Sequence, residues 1–282
     1  VDTLSPTGRP SGSAAEARLS DDDLRRLTRP LQLPGLGGIG IVSLLVVAVV
    51  WSLAGADVDV NRFVTGIPRI SDFLVRLWPP DFSKLDLIVR LLIETLQMAI
   101  IGTLLGAGLS LVVSFGAASN IAPRWLYAVT RMVLNVLRSI PDLIFALMFV
   151  SAVGLGPFAG ILALVVGSMG SIAKVYAEAM ESVPAGPLQA LESTGASKRQ
   201  VVWFGVVPQA APLLTSYTLL LFEGNVRGAT ILGIVGAGGI GMELTTAMRL
   251  YDYGHLMAII ISIVVLVTVI DRASAVVRRR IT

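Results

Sequence analysis

Leu143 to Ala173 reads LIFALMFVSAVGLGPFAGILALVVGSMGSIA, 31 consecutive residues without a charge. A helix crosses the roughly 30 Å hydrocarbon core of a bilayer with about 20 apolar residues, so the run is too long for one straight crossing. Gly154, Gly156 and Pro157 punctuate its middle, which divides it into the end of one span and the start of the next at a tight turn. Working outward, these become spans at about 126–153, with Pro141 near the cytoplasmic end of the first, and 158–180. Further apolar stretches predict spans at about 36–56 and 92–116 upstream, and at about 209–232 and 254–273 downstream. The chain is expected to be an all-α integral membrane protein of about six transmembrane helices.

Composition agrees. The 282 residues are 54% hydrophobic and only 15% charged, against roughly a quarter charged in a soluble domain. Glycines let helices approach closely in lipid, and Gly102, Gly106, Ala107 and Gly108 give the second span a small-residue packing face. There is no cysteine and a single histidine, His255, so disulfides, thiolate metal sites and histidine metal clusters are excluded and no cofactor is expected. The net charge of +3 comes from basic residues at the ends of apolar runs, which argues for membrane topology and against nucleic-acid binding.

Residues 1–34 are polar, and beyond a capping-box-like Ser20 to Asp23 they are expected to form a disordered cytoplasmic tail ahead of a membrane domain at 35–282. The first apolar run starts too late for a signal peptide and lacks a following cleavage site, so it reads as a retained anchor. Arginines flank both ends, Arg9 to Arg29 and Arg272 to Arg280, so the positive-inside rule places both termini in the cytoplasm. Residues 57–87, which carry Arg62, Arg69, Arg76 and Lys84 among acidic partners, then lie outside. The polar stretch at 181–208 falls inside.

Within that cytoplasmic loop, Gln189 to Pro208 reads QALESTGASKRQVVWFGVVP. It resembles the signature loop of ABC importer permeases, the inner membrane components of binding-protein-dependent transport systems. Ala190, Gly195 and Pro208 match that signature. Gln189 stands where Glu is usual, Leu191 where Ala is, and Gly205 and Val207 where Ile and Leu are. Such a loop can form two short helices with Gly195 at the turn, where φ > 0 is free of a Cβ penalty, and Ser197 capping the second helix. Three further stretches resemble the phosphonate and phosphate branch of these permeases: WPPDFSKLDLIVRLLIETLQMAIIGT from Trp78, RSIPDLI from Arg138, and FEGNVRGATILGIVGAGGIG from Phe222.

The resemblance implies the type I importer permease fold in a bacterial inner membrane. It also implies a second copy of this chain, a cytoplasmic ABC ATPase dimer and an external solute-binding protein as partners. Gln189, Ala190, Glu192, Gly195, Ala196, Ser197 and Pro208 are the candidate ATPase-coupling residues. The chain carries no Walker motif, so ATP hydrolysis falls to the partner and no enzymatic role is expected.

Charges inside apolar spans are costly and therefore point to function. Glu223 and Arg227 are four residues apart and can pair on one helix face, with Asn225 and Thr230 adding hydrogen-bonding capacity. These four are the candidate substrate path, where an oxyanion would meet a guanidinium; the alternative for Arg227 is a structural ion pair. Arg138 and Asp142 read as structural, with Arg138 snorkelling, and Glu94 as a cap or a partner of Arg90. Gly233, Gly236, Gly238, Gly239 and Gly241 lack the setting of a phosphate loop and read as a hinge or re-entrant gate.

Other readings stay open. An intramembrane serine hydrolase would use His255, which otherwise reads as an interfacial residue at the start of the sixth span. A secondary transporter would have no use for the 181–208 loop. Methionine or another organic solute is the alternative cargo.

Overall fold

A computed structural model describes residues 36–56 and 59–281. The tail expected at 1–34 lies outside the described residues. Every regular element described is helical: α1 (Leu36–Gly55), α2 (Val60–Arg76), α3 (Leu85–Ala117), α4 (Arg124–Ser139), α5 (Asp142–Val153), α6 (Pro157–Glu181), α7 (Ala185–Ser193), α8 (Lys198–Val201), a π-helical turn (Val202–Val206), α9 (Val207–Ile234), α10 (Gly239–Arg249) and α11 (Tyr253–Ile281). The chain divides into two compact units, and the division falls inside α2 between Ile67 and Pro68.

In the first unit α1 is uncharged along its length and its large side chains from Ile41 to Leu53 are exposed, as suits a helix in lipid. The start of α2 is fixed by Asp59, whose carboxylate accepts from the Asn61 and Arg62 N–H groups at 2.9 and 3.1 Å. The sequence places residues 57–87 outside the membrane. A helix forms there because Phe63, Ile67, Ile70 and Leu74 recur at helical spacing.

In the second unit four stretches are long and apolar enough to cross a membrane: α3, α6, the segment Lys198–Arg249 that contains α9, and α11. The α4–α5 pair adds a fifth if its two arms count as one span, and α1 in the other unit is a shorter apolar helix. α3 begins well before the expected start at 92, so Glu94 lies more than two turns into the helix, and α11 continues past 273 to Ile281.

The span expected at 126–153 is broken. α4 and α5 meet at 85° across Ile140 and Pro141. Pro141 has no N–H to continue the helix, and its ring drives Ile140 to an extended conformation, φ −95° and ψ 119°. The bend rests on α6 where that helix has no side chains: a Cβ on Gly170 would lie 2.8 Å from the Arg138 backbone nitrogen, and one on Gly167 would strike the Asp142 carboxylate.

The same small-residue logic joins α3 to α6. Gly102 faces Leu164 and Gly106 faces Ser168, each so closely that a Cβ would sit 2.8 Å from its neighbour. Met98, Phe145, Leu164 and Leu232 make a core between α3, α5, α6 and α9. Outward-facing Leu104 and Val112 stay exposed, a face suited to lipid tails.

Candidate functional site

The 181–208 segment folds as a helical hairpin. α7 ends at Ser193, whose hydroxyl donates to the Gln189 and Ala190 carbonyls, and the Thr194 hydroxyl donates to Leu191. The chain reverses at Gly195, which adopts φ +84° and donates its N–H to the Glu192 carbonyl at 2.9 Å. Ser197 is the N-cap of α8, and its N–H and hydroxyl both reach Gln200 Oε1, at 2.8 and 2.9 Å. Gln189, Glu192 and Lys198 line an open groove of about 770 Å³ with Asn120 and Pro123.

Two departures from the signature explain each other. A Cβ on Gly205 would come within 2.7 Å of Leu188 and 2.9 Å of Leu191, so the larger residue at 191 occupies the room that a larger residue at 205 would need. The π-helical turn Val202–Val206 leads into Pro208 in the first turn of α9. It absorbs the register change that a proline imposes on a continuing helix.

At the hairpin's base Arg131 of α4 binds both α6 and α3. Its guanidinium lies 3.2 Å from Glu181 and 3.6 Å from Glu178, and its Nε donates to the Ala117 carbonyl at the end of α3. Glu181 also accepts from the Ser119 N–H. Sequence reasoning missed this hub, because an arginine in an amphipathic helix has no distinctive local signal.

The five candidate gate glycines run from the last turn of α9 through the connection into the first turn of α10. Gly236, Gly238 and Gly239 have φ of +94°, +83° and +68°. A Cβ on Gly233 would lie 2.5 Å from the Gly238 carbonyl, and one on Gly241 would strike the Thr230 carbonyl, so α10 returns against the end of α9. α3 holds this turn: Glu94 Oε1 accepts from the Gly239 N–H at 2.8 Å and Thr95 Oγ1 from the Ile240 N–H at 2.9 Å. Glu94 is a cap after all, but of α10, while Arg90 pairs with Asp86. Gly156 donates to the Gly236 carbonyl and so ties the turn before α6 to the same place.

The four candidate path residues do not converge. Glu223 and Arg227 bond α11 and not each other: Arg278 reaches Glu223 at 2.5 Å, and Arg227 reaches Asp271 at 3.2 Å. The reason is the antiparallel partner, whose Asp271 and Arg278 are seven residues apart and place opposite charges beside each. Asn225 points the other way, donating to Thr103 at 2.9 Å and toward Ser168 at 3.4 Å in the buried core, and Thr230 bonds its own helix at Val226.

At the opposite end from the hairpin, His255 is buried and its Nε2 lies 3.0 Å from Glu243 of α10. Lys84 pairs with Asp252 nearby at 3.2 Å. The Ser83 backbone N–H and then its hydroxyl hold the Asp81 carboxyl below the usual carboxylate range. No serine bonds His255, and among the described residues no group of acidic, histidine or cysteine side chains is arranged to hold a metal.

A helical membrane unit with a broken span and an exposed hairpin is the architecture of an ABC importer permease. Residues 110–282 match the family model described as binding-protein-dependent transport system inner membrane component, and the chain belongs to that family. It is 40% identical over 245 residues, 86% of this chain and 88% of the other, to a phosphite transport system permease protein of Stutzerimonas stutzeri. A putative phosphite transport system permease protein of the same organism is 39% identical over 82% of each chain. The inward-facing MetNI methionine ABC transporter has a chain that superposes with a TM-score of 0.64 at 26% identity, covering 72% of this chain and 99% of that one.

Proposed function

We propose that this chain is the membrane-spanning subunit of an ATP-driven importer of small phosphorus oxyanions, phosphite, phosphonate or phosphate, with two copies enclosing the path. The observation that carries the cargo is the identity of 39–40% to two phosphite permeases across more than four-fifths of each chain. The exposed hairpin at 181–208 supports contact with a cytoplasmic ATPase, whose closure would move α6 and α9, the helices that enter and leave it. An external binding protein delivers the cargo, both termini are cytoplasmic, and the path opens alternately to either side. In this reading Gln189 to Pro208 receive the ATPase stroke, and the Gly233 to Gly241 turn forms the outer gate.

Uptake of labelled phosphate in cells lacking the chain and in cells given it back tests this, with excess phosphite or phosphonate as competitors. Loss and restoration of ATP-dependent uptake are expected, and the strongest competitor names the cargo. Unchanged uptake of every oxyanion would overturn the cargo, and methionine uptake would be measured next.

A further inference from the structure

We infer that Arg138 and Lys174 form a cationic lining of the oxyanion path on the shared face of α4 and α6. The inference rests on the proposed function and specifies where in the path the anion is held. Its starting point is a contrast among the intramembrane cations. Arg227 is committed to Asp271, and Arg131 to Glu178 and Glu181. The side chains of Arg138 and Lys174 have no hydrogen bond or ion pair among the described residues, and Arg138 is exposed.

Their placement is fixed by contacts on either side. α6 turns one face toward α4: Gly167 meets Asp142, Gly170 meets the Arg138 backbone, and Glu178 and Glu181 meet Arg131. Lys174 lies four residues from both Gly170 and Glu178, and so belongs to that face. Gly170 is about 20 Å along α6 from Pro157 and about 17 Å from Glu181, which puts Arg138 near mid-depth. A guanidinium there without a carboxylate is tolerated where water or an anion meets it and is costly against lipid.

Neutral polar side chains lie close to the two cations. Exposed Ser171 stands beside Gly170, and exposed Asn135 lies one turn before Arg138. The Asp142 carboxylate is tucked against Gly167 and forms no ion pair with Arg138. Arg131 takes up Glu178 and Glu181 on this face, which leaves Arg138 and Lys174 beside neutral donors, a set that suits an anion accepting hydrogen bonds, as phosphite and phosphate do. α4 ends one residue after Arg138, the chain turns by 85° into α5, and Arg138 stays exposed.

The test uses the full transporter with its ATPase and binding protein. Arg138→Gln and Lys174→Gln, singly and together, are expected to lower oxyanion uptake at least about tenfold in the double variant. Membrane abundance and basal ATPase activity stay at wild-type level, and Arg138→Lys restores part of the uptake. A wild type that carries an oxyanion while the double variant keeps half or more of its rate overturns this inference and leaves the proposed function standing. A wild type that carries no oxyanion removes both.

A second arm does not depend on the charge variants folding. The native chain has no cysteine, so Ser171→Cys carries a single thiol. It is expected to react with a membrane-impermeant anionic methanethiosulfonate and to be slowed by phosphite, whereas Val112→Cys on the exposed apolar face of α3 does not react. Equal reactivity at the two positions, or no protection by any transported oxyanion, overturns the inference.

Discussion

Gly195 and Gly239 are both glycine for backbone reasons, with different consequences. Gly195 reverses the hairpin at φ +84° in open space, so a side chain there meets no neighbour and strains only the backbone. We predict that Gly195→Asp leaves the protein in the membrane but lowers ATP-dependent uptake at least about tenfold, because it adds strain of about 1 kcal/mol and a charge to the proposed docking tip. Uptake and membrane abundance measured on the same cells check this. Gly239 combines φ +68° with a Cβ position 2.5 Å from Thr95 Oγ1. Gly239→Ala should therefore cost about 1–3 kcal/mol of stability, visible as a lower unfolding temperature in detergent, and uptake should fall with it. Intact uptake in this variant would count against the gate. The glycine cluster was legible in the sequence as an unusual turn; its clamp was not, because Glu94 and Thr95 lie about 145 residues away in the chain.

Helices obey local rules until a neighbour supplies a reason to depart. Pro141 alone was readable as a disturbance, yet the 85° angle depends on Gly167 and Gly170 leaving α6 bare where the bend lands. Gly170→Leu should push α4 away from α6 and destabilise by roughly 2 kcal/mol or more, measurable as lost thermal stability with little change at Gly108→Leu, where nothing lies within 4 Å. The 181–208 hairpin gives the converse case. Gly205→Ala should weaken it by about 1 kcal/mol, and adding Leu191→Ala should recover part of that loss, since the two sites share one volume. Protease sensitivity of the hairpin in the two variants reads this out. The sequence displayed both departures from the signature as separate oddities, and only contact across the turn makes them one feature.

Across the second unit, charge pairs join helices that are far apart in the chain. Glu223 and Arg227 tie α9 to α11, and Arg131 ties α3, α4 and α6 to the base of the hairpin. Arg131→Ala should uncouple the hairpin from the membrane helices: binding-protein-stimulated ATP hydrolysis persists while uptake falls, compared in reconstituted vesicles. The sequence by itself determined the all-helical membrane fold, the loop with its turn at Gly195 and the family, because each is written in local terms: uncharged length, glycine and proline spacing, and short motifs. Tertiary structure alone decided how Glu223, Arg227 and Arg131 pair. Side chains four residues apart share a helix face whatever the fold, but Glu223 and Arg227 choose Arg278 and Asp271 only because α11 runs antiparallel beside them. The same choice leaves Arg138 and Lys174 without carboxylates, a fact no spacing along the chain could reveal.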